Sequence, residues 1–338
     1  MKRITIKDLS KHLSLSTSTI SRAFVNDKSI HPETKKRVLQ AAEKLGYKPN
    51  PAALNLKYGQ SKNIGFVVPE MVTPFSTAVL RGIQKTLNPQ GYRIIILQSD
   101  ESPAIERQHL LFLEEFNVEA IIINLCHETY NQDLYQEILE RGTPLIFFDR
   151  IPSTSLNVSK VIVNDHIKAS LMVEHLIGIG RKRIAHIMGP SSIRNATERA
   201  MGYQRILTKH QLFDQDLIVK TEGIGFEYGR NAVRHLMHKK VQFDAIFAFT
   251  DTLAIGAMNF LLENNVKIPD EVAIASFSGT ELSTIVYPAL TTVEQPLEKM
   301  GEAAAELVLE KIQGGSVASR TIVLAPELVY RGSTEHHS

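Results

Sequence analysis

The sequence predicts a small all-α head containing a helix-turn-helix, followed by an α/β body built from two doubly wound parallel sheets. Two short amphipathic helices joined by a tight turn, within residues 4–24, predict the head. Eight apolar segments that alternate with amphipathic segments after residue 63 predict the body. Positive charge is concentrated before residue 64, which distinguishes the head from the body.

The first helix of the head is predicted by a capping signature and an apolar face. Thr5 is followed three residues later by Asp8, as in a capping box. Ile6, Leu9 and Leu13 then recur at helical spacing. One side of this helix is therefore apolar and needs a partner.

The second helix has one apolar face and one small, polar, basic face. Ser16 is a suitable N-cap, and Ile20 and Phe24 lie one turn apart and are expected to point inward. Hydroxyl groups and an arginine on the other face suit the major groove of DNA, where arginine can bind guanine through two hydrogen bonds. A three-helix bundle that does not bind DNA also has polar outer faces, so this pattern alone does not decide the function. The outward face is predicted to carry Thr17, Ser18, Ser21 and Arg22.

The distribution of charge favours the DNA-binding interpretation. Residues 1–63 contain 13 Lys and Arg against 4 Asp and Glu, whereas the remaining residues contain 25 against 32. Cationic side chains release counterions from DNA phosphates when they bind. A basic segment attached to an acidic body is therefore the electrostatic pattern of a nucleic-acid-binding head.

A third helix, with Pro32 at its first position and Gly46 after its end, closes the head, and a short connector follows it. Asn50 can cap a connector helix so short that it should form only when a partner holds it. On DNA, Leu56 would be a wedge in the minor groove and Lys57 would contact phosphate; a plain linker would dock its leucines on the body instead. The DNA-contact candidates are Thr5, Thr17, Ser18, Ser21, Arg22, Asn50, Leu56 and Lys57.

The body has the pattern of buried parallel strands joined by helical crossovers. Two series of four apolar segments predict two similar halves. The first series is IGFVV, RIIIL, AIIIN and LIFFD, and the second is RIAHIM, LIVKT, DAIFAF and VAIASF. A final strand, helix and strand between LTTVEQP and RTIVL are expected to return to the first half.

Polar side chains follow nearly every predicted strand. In open parallel sheets, ligands bind beyond the carboxyl ends of the strands, so these side chains are expected to line a cleft between the halves. They suit a polyhydroxyl or anionic small molecule, with an aromatic ring to stack on its flat face. Each of them alone has a simpler explanation as a helix cap, a core residue or a surface ion pair. The candidates are Phe75, Ser99, Asp100, Asp149, Arg150, Arg199, Asp251 and Ser278.

Motifs for catalysis, cofactors and metals are missing from the sequence. Gly223, Gly225 and Gly229 imitate a dinucleotide fingerprint, but the bulky Tyr228 occupies its third position. The single Cys126 excludes an internal disulfide and any zinc site built from several cysteines. We therefore expect no enzyme activity, no cofactor and no metal. The amino end lacks the apolar core of a signal peptide, which predicts a cytoplasmic protein.

These segments resemble the LacI/GalR family of bacterial transcription regulators over essentially the whole chain. The matching motifs are TIKDLSKHL, STSTISRAF, PETKKRVLQAAEKLGY with PNPAALNLK, and IVYPALTTVEQP followed by MG. The resemblance implies a homodimer whose Thr17 to Phe24 helices read the two half-sites of an operator. It assigns base reading to Thr17, Ser18 and Arg22, and the minor-groove wedge to Leu56.

The resemblance also implies a body like periplasmic sugar-binding proteins. Positions matching the family's effector cleft are Phe75, Asp149, Arg199 and Asp251, and Ile224 stands where some members have an aromatic residue. Two departures from the family pattern are Ser278, where several members have Asp, and Ser14, which replaces a turn glycine. The chain is expected to cross between the halves near Val163, Thr292 and Ala325.

The sequence therefore predicts a cytoplasmic, homodimeric repressor controlled by a small polar effector, with a sugar or sugar derivative as the favoured class. A solute-binding protein of a transport system is the alternative, because the body alone would suit one. The predicted domains are a head at 1–48, a connector at 49–62, and a body at 63–338 whose first half is 63–162 with 293–324 and whose second half is 163–292 with 325–338.

Overall fold

The computed structural model of the protein describes residues 4–24, 27, 29–47, 61–153, 156–314 and 318–335. By its internal contacts the chain divides into two compact units, residues 1–62 and residues 63–338. Within the described ranges, no helix is both long and apolar enough to cross a membrane.

The head is a bundle of three helices around one small core. The helices are α1 (Ile6–Leu13), α2 (Thr17–Phe24) and α3 (Pro32–Leu45). Each helix contributes apolar side chains from one face, as the helical spacing of the sequence predicts. The buried residues are Leu9, Ile20, Ala23, Val38, Ala41 and Ala42.

Local hydrogen bonds fix the ends of the first two helices. The predicted capping box is confirmed: the Thr5 backbone N–H donates to Asp8 Oδ2 at 2.9 Å, and the Asp8 N–H donates to Thr5 Oγ1 at 3.4 Å. Ser16 Oγ accepts the backbone N–H of Thr19 at 3.1 Å. Ser14 ends α1 in the left-handed conformation, with φ of 55°. That conformation costs a residue other than glycine about 1 kcal/mol, which is the strain expected where Ser14 replaces a turn glycine.

The first part of the body, residues 63–163, alternates strands and helices. All four apolar segments predicted there are strands. The described residues also form a strand that was not predicted, β5. It begins with Ser159 and Lys160, so it is not a continuous apolar run. The elements are β1 (Asn63–Val68), α4 (Pro74–Leu87), β2 (Arg93–Gln98), α5 (Pro103–Glu115), β3 (Ala120–Ile123), α6 (Gln132–Glu140), β4 (Leu145–Phe148) and β5 (Ser159–Val163).

The second part, residues 165–294, repeats the same rhythm. Its four predicted apolar segments are strands as well, and the segment LTTVE adds a fifth. The elements are α7 (Asp165–Gly178), β6 (Ile184–Gly189), α8 (Arg194–Lys209), β7 (Ile218–Lys220), α9 (Phe226–His238), β8 (Ala245–Ala248), α10 (Asp251–Glu263), β9 (Ala273–Ser278), α11 (Leu282–Ile285) and β10 (Thr291–Glu294).

The last segment joins both halves. It forms α12 (Leu297–Ile312), β11 (Thr321–Leu324) and β12 (Glu327–Val329). Helix α12 packs against α4, and β11 extends the first sheet in the order β11-β5-β4-β3-β1-β2. Strand β12 pairs antiparallel with β10 in the second sheet, whose order is β12-β10-β9-β8-β6-β7. All other strand pairs are parallel, so the doubly wound fold is confirmed.

Glycines allow the helices of each half to touch through their backbones. A Cβ atom at Gly82 or Gly301 would lie 2.0 Å from a carbonyl oxygen of the opposite helix in the α4–α12 pair. In the α9–α10 pair, a Cβ atom at Gly229 or Gly256 would lie 2.0 or 1.9 Å from a carbonyl oxygen of the opposite helix. The third glycine of the apparent dinucleotide fingerprint therefore serves helix packing, since Gly229 is needed for this close approach.

His186 on β6 makes the stability of the body depend on pH. The ring is fully buried between Tyr203 and Phe247, and burial lowers its pKa to about 4. The ordinary histidine pKa is near 6.5, so between about pH 6.5 and 4 the unfolded chain binds a proton that the folded chain does not. This group should therefore remove about 3 kcal/mol of folding stability as the pH falls through that range.

His186→Phe should keep the ring packing and remove this proton. We expect the free energy of unfolding in urea to fall less between pH 7 and 4.5 than in the unchanged protein, by about 2 kcal/mol. His238→Phe, at an exposed position of α9, is the control and should leave the difference between the two pH values unchanged. Equal pH dependence for His186→Phe and the unchanged protein would contradict this role.

Candidate functional site

The outward face of α2 presents fewer polar groups than the sequence predicts. Thr17 and Ser18 are exposed and Arg22 is half-buried. Ser21 is only 8% exposed, so the expectation that its hydroxyl faces outward is wrong. Its position explains this: Ser21 follows the buried Ile20, and a side chain this small fits against the head core. The exposed surface of the helix is therefore centred on Thr17, Ser18 and Arg22.

Of the remaining DNA-contact candidates, the structure describes Thr5. Thr5 is exposed at the N-cap of α1, and its hydroxyl donates to Asp8 Oδ2 at 2.7 Å. This hydroxyl is held at the amino end of the helix, where unpaired backbone N–H groups favour an anion such as phosphate. Asn50, Leu56 and Lys57 lie outside the described residues.

The body contains a cleft of about 580 Å³ between its two halves. Residues that follow the ends of β1, β3 and β4 form one wall, and residues after β8, β9 and β10 form most of the other, as the rule for parallel sheets predicts. The lining residues are Pro69, Glu70, Thr73, Phe75, Ser76, Asn124, Asp149, Arg150, Arg199, Ile224, Phe249, Thr250, Asp251, Thr252, Ser278, Thr280 and Gln295.

Asp251 is the centre of a buried hydrogen-bond network at the amino end of α10. Its Oδ1 accepts from Ser276 Oγ at 2.7 Å and Thr292 Oγ1 at 2.9 Å. Its Oδ2 accepts from the Thr280 backbone N–H at 2.7 Å and from Thr280 Oγ1 at 2.9 Å. Burial raises the pKa of this carboxyl, and the four hydrogen bonds oppose that rise. Asp251 thus ties the start of α10 to β9, to the loop that follows β9 and to β10.

Arg199 crosses the floor of the cleft and is 2% exposed. Its Nε donates to Asp165 Oδ1 at 2.7 Å, and one terminal nitrogen donates to the carbonyl of Phe249 at 2.6 Å. The guanidinium lies over the rings of Phe277 and Phe249, 3.6 and 4.6 Å from their centroids. Burial raises the pKa of Asp165 to about 6 despite the adjacent arginine. Arg199 therefore holds the floor of the cleft in place.

Asp149 and Arg150 follow β4 on the opposite wall. Arg150 is 6% exposed and forms two hydrogen bonds to Glu101, from its terminal nitrogens to Oε2 at 2.7 Å and Oε1 at 2.9 Å. Asp149 Oδ1 accepts from Asn195 Nδ2 at 3.1 Å. Burial raises the pKa of Asp149, while the two nearby arginines lower it.

Two of the predicted cleft residues lie elsewhere. Ser99 is fully buried and its backbone and hydroxyl both donate to the Val68 carbonyl, so it holds β2 beside β1 and does not reach the cleft. Asp100 is exposed in a left-handed turn with φ of 52° and contacts the Gln98 side chain. The expectation that Ser99 and Asp100 line the cleft is therefore wrong, because the turn after β2 bends away from it.

Phe75 and Ile224 are the half-buried apolar groups on the two walls. Ser278, at the end of β9, is 7% exposed with φ of 129°, a conformation that strains a residue other than glycine. Such strain occurs most often at binding sites, where the surrounding structure holds the residue in place. These positions agree with the sequence-based prediction of a mixed polar and apolar cleft.

Asn124, Gln295 and Glu101 are site residues that were not predicted from the sequence. Asn124 directly follows β3 and Gln295 directly follows β10, so the same strand-end rule would have found both. Glu101 gave no signal, because its contact with Arg150 joins positions 49 residues apart. Among the described residues, no group of three or more His, Cys, Asp or Glu side chains is arranged to hold a metal ion.

Comparison with known proteins identifies both units. Residues 5–50 match the family described as bacterial regulatory proteins, lacI family. Residues 61–329 match periplasmic binding proteins and sugar binding domain of LacI family. A regulator named KdgR from Bacillus subtilis is 32% identical over 97% of each chain. The ribose operon repressor of Halalkalibacterium halodurans is 28% identical over 98% of this chain and 97% of its own.

Solved structures agree on the fold. The lac repressor dimer bound to operator and an anti-inducer has a TM-score of 0.86, with 23% identity over 98% of this chain and 99% of that chain. A complex of the transcriptional regulator CelR with cellobiose has a TM-score of 0.75, with 24% identity over 98% of this chain and 100% of that chain. At these identities, the similarity establishes the shared architecture.

Proposed function

Because the chain belongs to the LacI family of bacterial regulatory proteins, we propose that it is a sequence-specific DNA-binding repressor controlled by a small polar effector. The observation that carries this proposal is the presence in one chain of a basic helix-turn-helix and a two-walled polar cleft. The head, residues 1–48, reads an operator; the body, residues 63–338, senses a metabolite; and residues 49–62 connect them.

The composition of the cleft supports a sugar or sugar derivative as the effector. Carboxylate, amide and hydroxyl groups line both walls beside one aromatic ring, a combination that hydrogen-bonds a polyhydroxyl molecule and stacks on its apolar face. The names of two similar proteins point the same way, since one is a ribose operon repressor and another was solved with cellobiose.

Control of the operator by the effector is proposed to work by linkage. A homodimer presents two copies of α2 to the half-sites of a roughly palindromic operator. Effector binding changes the angle between the two halves of each body, and this alters the spacing of the two connectors at the DNA. The change in operator affinity is then set by the difference in the effector's affinity for the two conformations of the body.

A solute-binding protein for transport is not favoured, because the helix-turn-helix head has no role in that function. We propose no catalytic activity. Asp251 and the two arginines of the cleft are engaged in internal hydrogen bonds, and the relatives are regulators. A protein that acts on an operator works beside the chromosome, so we propose a cytoplasmic location.

The test is selection of duplexes from a random pool by the purified full-length protein, followed by mobility shifts at two salt concentrations. We expect a palindromic consensus and an affinity that falls steeply with salt, because Lys and Arg displace counterions. Adding sugars, sugar acids and sugar phosphates should change the affinity for the selected duplex. Recovery of no consensus, with or without these compounds, would contradict the proposal.

A further inference from the structure

The charged groups that line the cleft are already paired within the chain. Arg150 is held by both oxygens of Glu101, and Arg199 by Asp165 and the Phe249 carbonyl. These two arginines are the cations among the cleft-lining residues. An anionic ligand would therefore compete with a carboxylate for the charge of either arginine.

The local charge also opposes an anion. Glu70, Asp149 and Asp251 line the cleft with the two arginines, and the carboxylates of Glu101 and Asp165 lie directly behind those arginines. Carboxylates therefore outnumber guanidinium groups in the immediate surroundings of the cleft. In a partly buried site such charges are weakly screened, so a further negative charge is repelled.

Two buried side-chain oxygens in the cleft have no partner. Asn124 is 2% exposed and Gln295 is 6% exposed, and both line the cleft. Asn124 Oδ1 and Gln295 Oε1 accept no hydrogen bond from any residue that the structure describes. A buried acceptor without a partner is unfavourable, so a ligand that supplies hydroxyl donors to both oxygens is stabilised by them. The two residues follow strands of opposite halves, so one ligand can join both walls.

We propose that the cleft selects an uncharged polyhydroxyl ligand and rejects its carboxylate and phosphate derivatives, with Glu101 as the residue that sets this selectivity. This inference rests on the effector function proposed above and adds the charge class of the effector. Glu101 holds the place at Arg150 that the carboxylate or phosphate of an acidic ligand would take. The ligand hydroxyls instead donate to Asn124 Oδ1 and Gln295 Oε1.

The turn that carries Glu101 is built to hold this contact. Asp100 and Glu101 are consecutive residues with φ of 52° and 56°, a left-handed conformation that is unfavourable for residues other than glycine. The two hydrogen bonds from a 6% exposed arginine offset that strain. Glu101 thereby reaches the buried Arg150 although its own side chain is 38% exposed, while the adjacent Asp100 contacts Gln98; neither residue itself lines the cleft.

The test is calorimetric titration of the full-length protein with matched sets of ligands. Each set contains a pentose, a hexose or a disaccharide in its neutral form, as the sugar acid, and as the sugar phosphate. We expect at least one neutral sugar to bind and its charged forms to bind about tenfold more weakly or worse. In Glu101→Gln, which frees Arg150, the affinity ratio of charged to neutral form should rise about tenfold.

Asp100→Asn is the matched control, since it removes the same charge one residue away without uncovering Arg150. Its ratio of charged to neutral affinity should equal that of the unchanged protein. Tighter binding of an acid or phosphate than of its neutral sugar by the unchanged protein would overturn the inference while supporting the proposed effector function. An unchanged ratio in Glu101→Gln would overturn the role of Glu101. Binding of no compound in any set would contradict the proposed function itself.

Discussion

Arg22→Ala is expected to abolish most of the preference of the protein for its operator over random DNA. Arg22 is half-buried on α2, next in sequence to the buried Ser21, so the head core limits its position. A bidentate contact between arginine and guanine contributes about 1 to 3 kcal/mol of discrimination. A dimer loses that contact in both half-sites, so the loss should be about 2 to 6 kcal/mol, measured by mobility shift against the selected duplex.

Arg37→Ala is the matched control for this prediction. It removes the same charge from the head, at an exposed position of α3. We expect it to weaken binding to selected and random duplexes about equally, because a charge that only attracts phosphate carries no sequence information. If the two variants lost the same amount of specificity, base reading by Arg22 would be excluded, and the charge of the head alone would account for binding.

The sequence was sufficient to predict the head because its signals are local. Thr5 with Asp8 and Pro32 with Gly46 fix helix ends within a few residues, and the structure has these ends where they were predicted. Ser21 was the exception. It lies at the boundary between the two faces of a short helix, where periodicity does not distinguish an inward from an outward side chain.

The cleft was only partly predictable, because strand ends are local but turns and pairings are not. Asp149, Arg150, Asp251 and Ser278 lie at the end of a strand or within three residues after it, and all four line the cleft. Ser99 satisfies the same rule and fails, since the turn after β2 directs it toward the Val68 carbonyl.

Pairing within the chain changes the interpretation of the predicted residues. Asp251, Arg150 and Arg199 are predicted to contact the effector. Each also makes two to four hydrogen bonds to other parts of the chain. They shape the walls of the cleft, and the unpaired oxygens of Asn124 and Gln295 remain available to a ligand. A sequence identifies which charges meet at a sheet edge, but only the folded chain determines which of them are already neutralised.

Asp251→Ala is expected to destabilise the body by about 3 kcal/mol or more and to remove the response to effector. The substitution leaves the Thr280 backbone N–H and the hydroxyls of Ser276, Thr280 and Thr292 without their acceptor in a fully buried site. Each orphaned buried donor costs about 1 to 3 kcal/mol, although hydroxyls can rotate toward other partners and reduce the total. For a unit of this size we expect a fall in melting temperature of roughly 5 to 10 °C, measured on the full-length protein.

Asp133→Ala is the control, because Asp133 has a 63% exposed side chain that pairs with Arg107 on the surface of the first half. Such a pair contributes at most about 1 kcal/mol, so the melting temperature should change little. Asp251→Asn separates volume from hydrogen bonding, since an amide has nearly the same size but offers one oxygen where the network needs two acceptors. If Asp251→Asn had the same melting temperature as the unchanged protein, the hydrogen-bond network would not be the source of the stability. If it melted close to Asp251→Ala, the four converging donors would require a carboxylate at the amino end of α10.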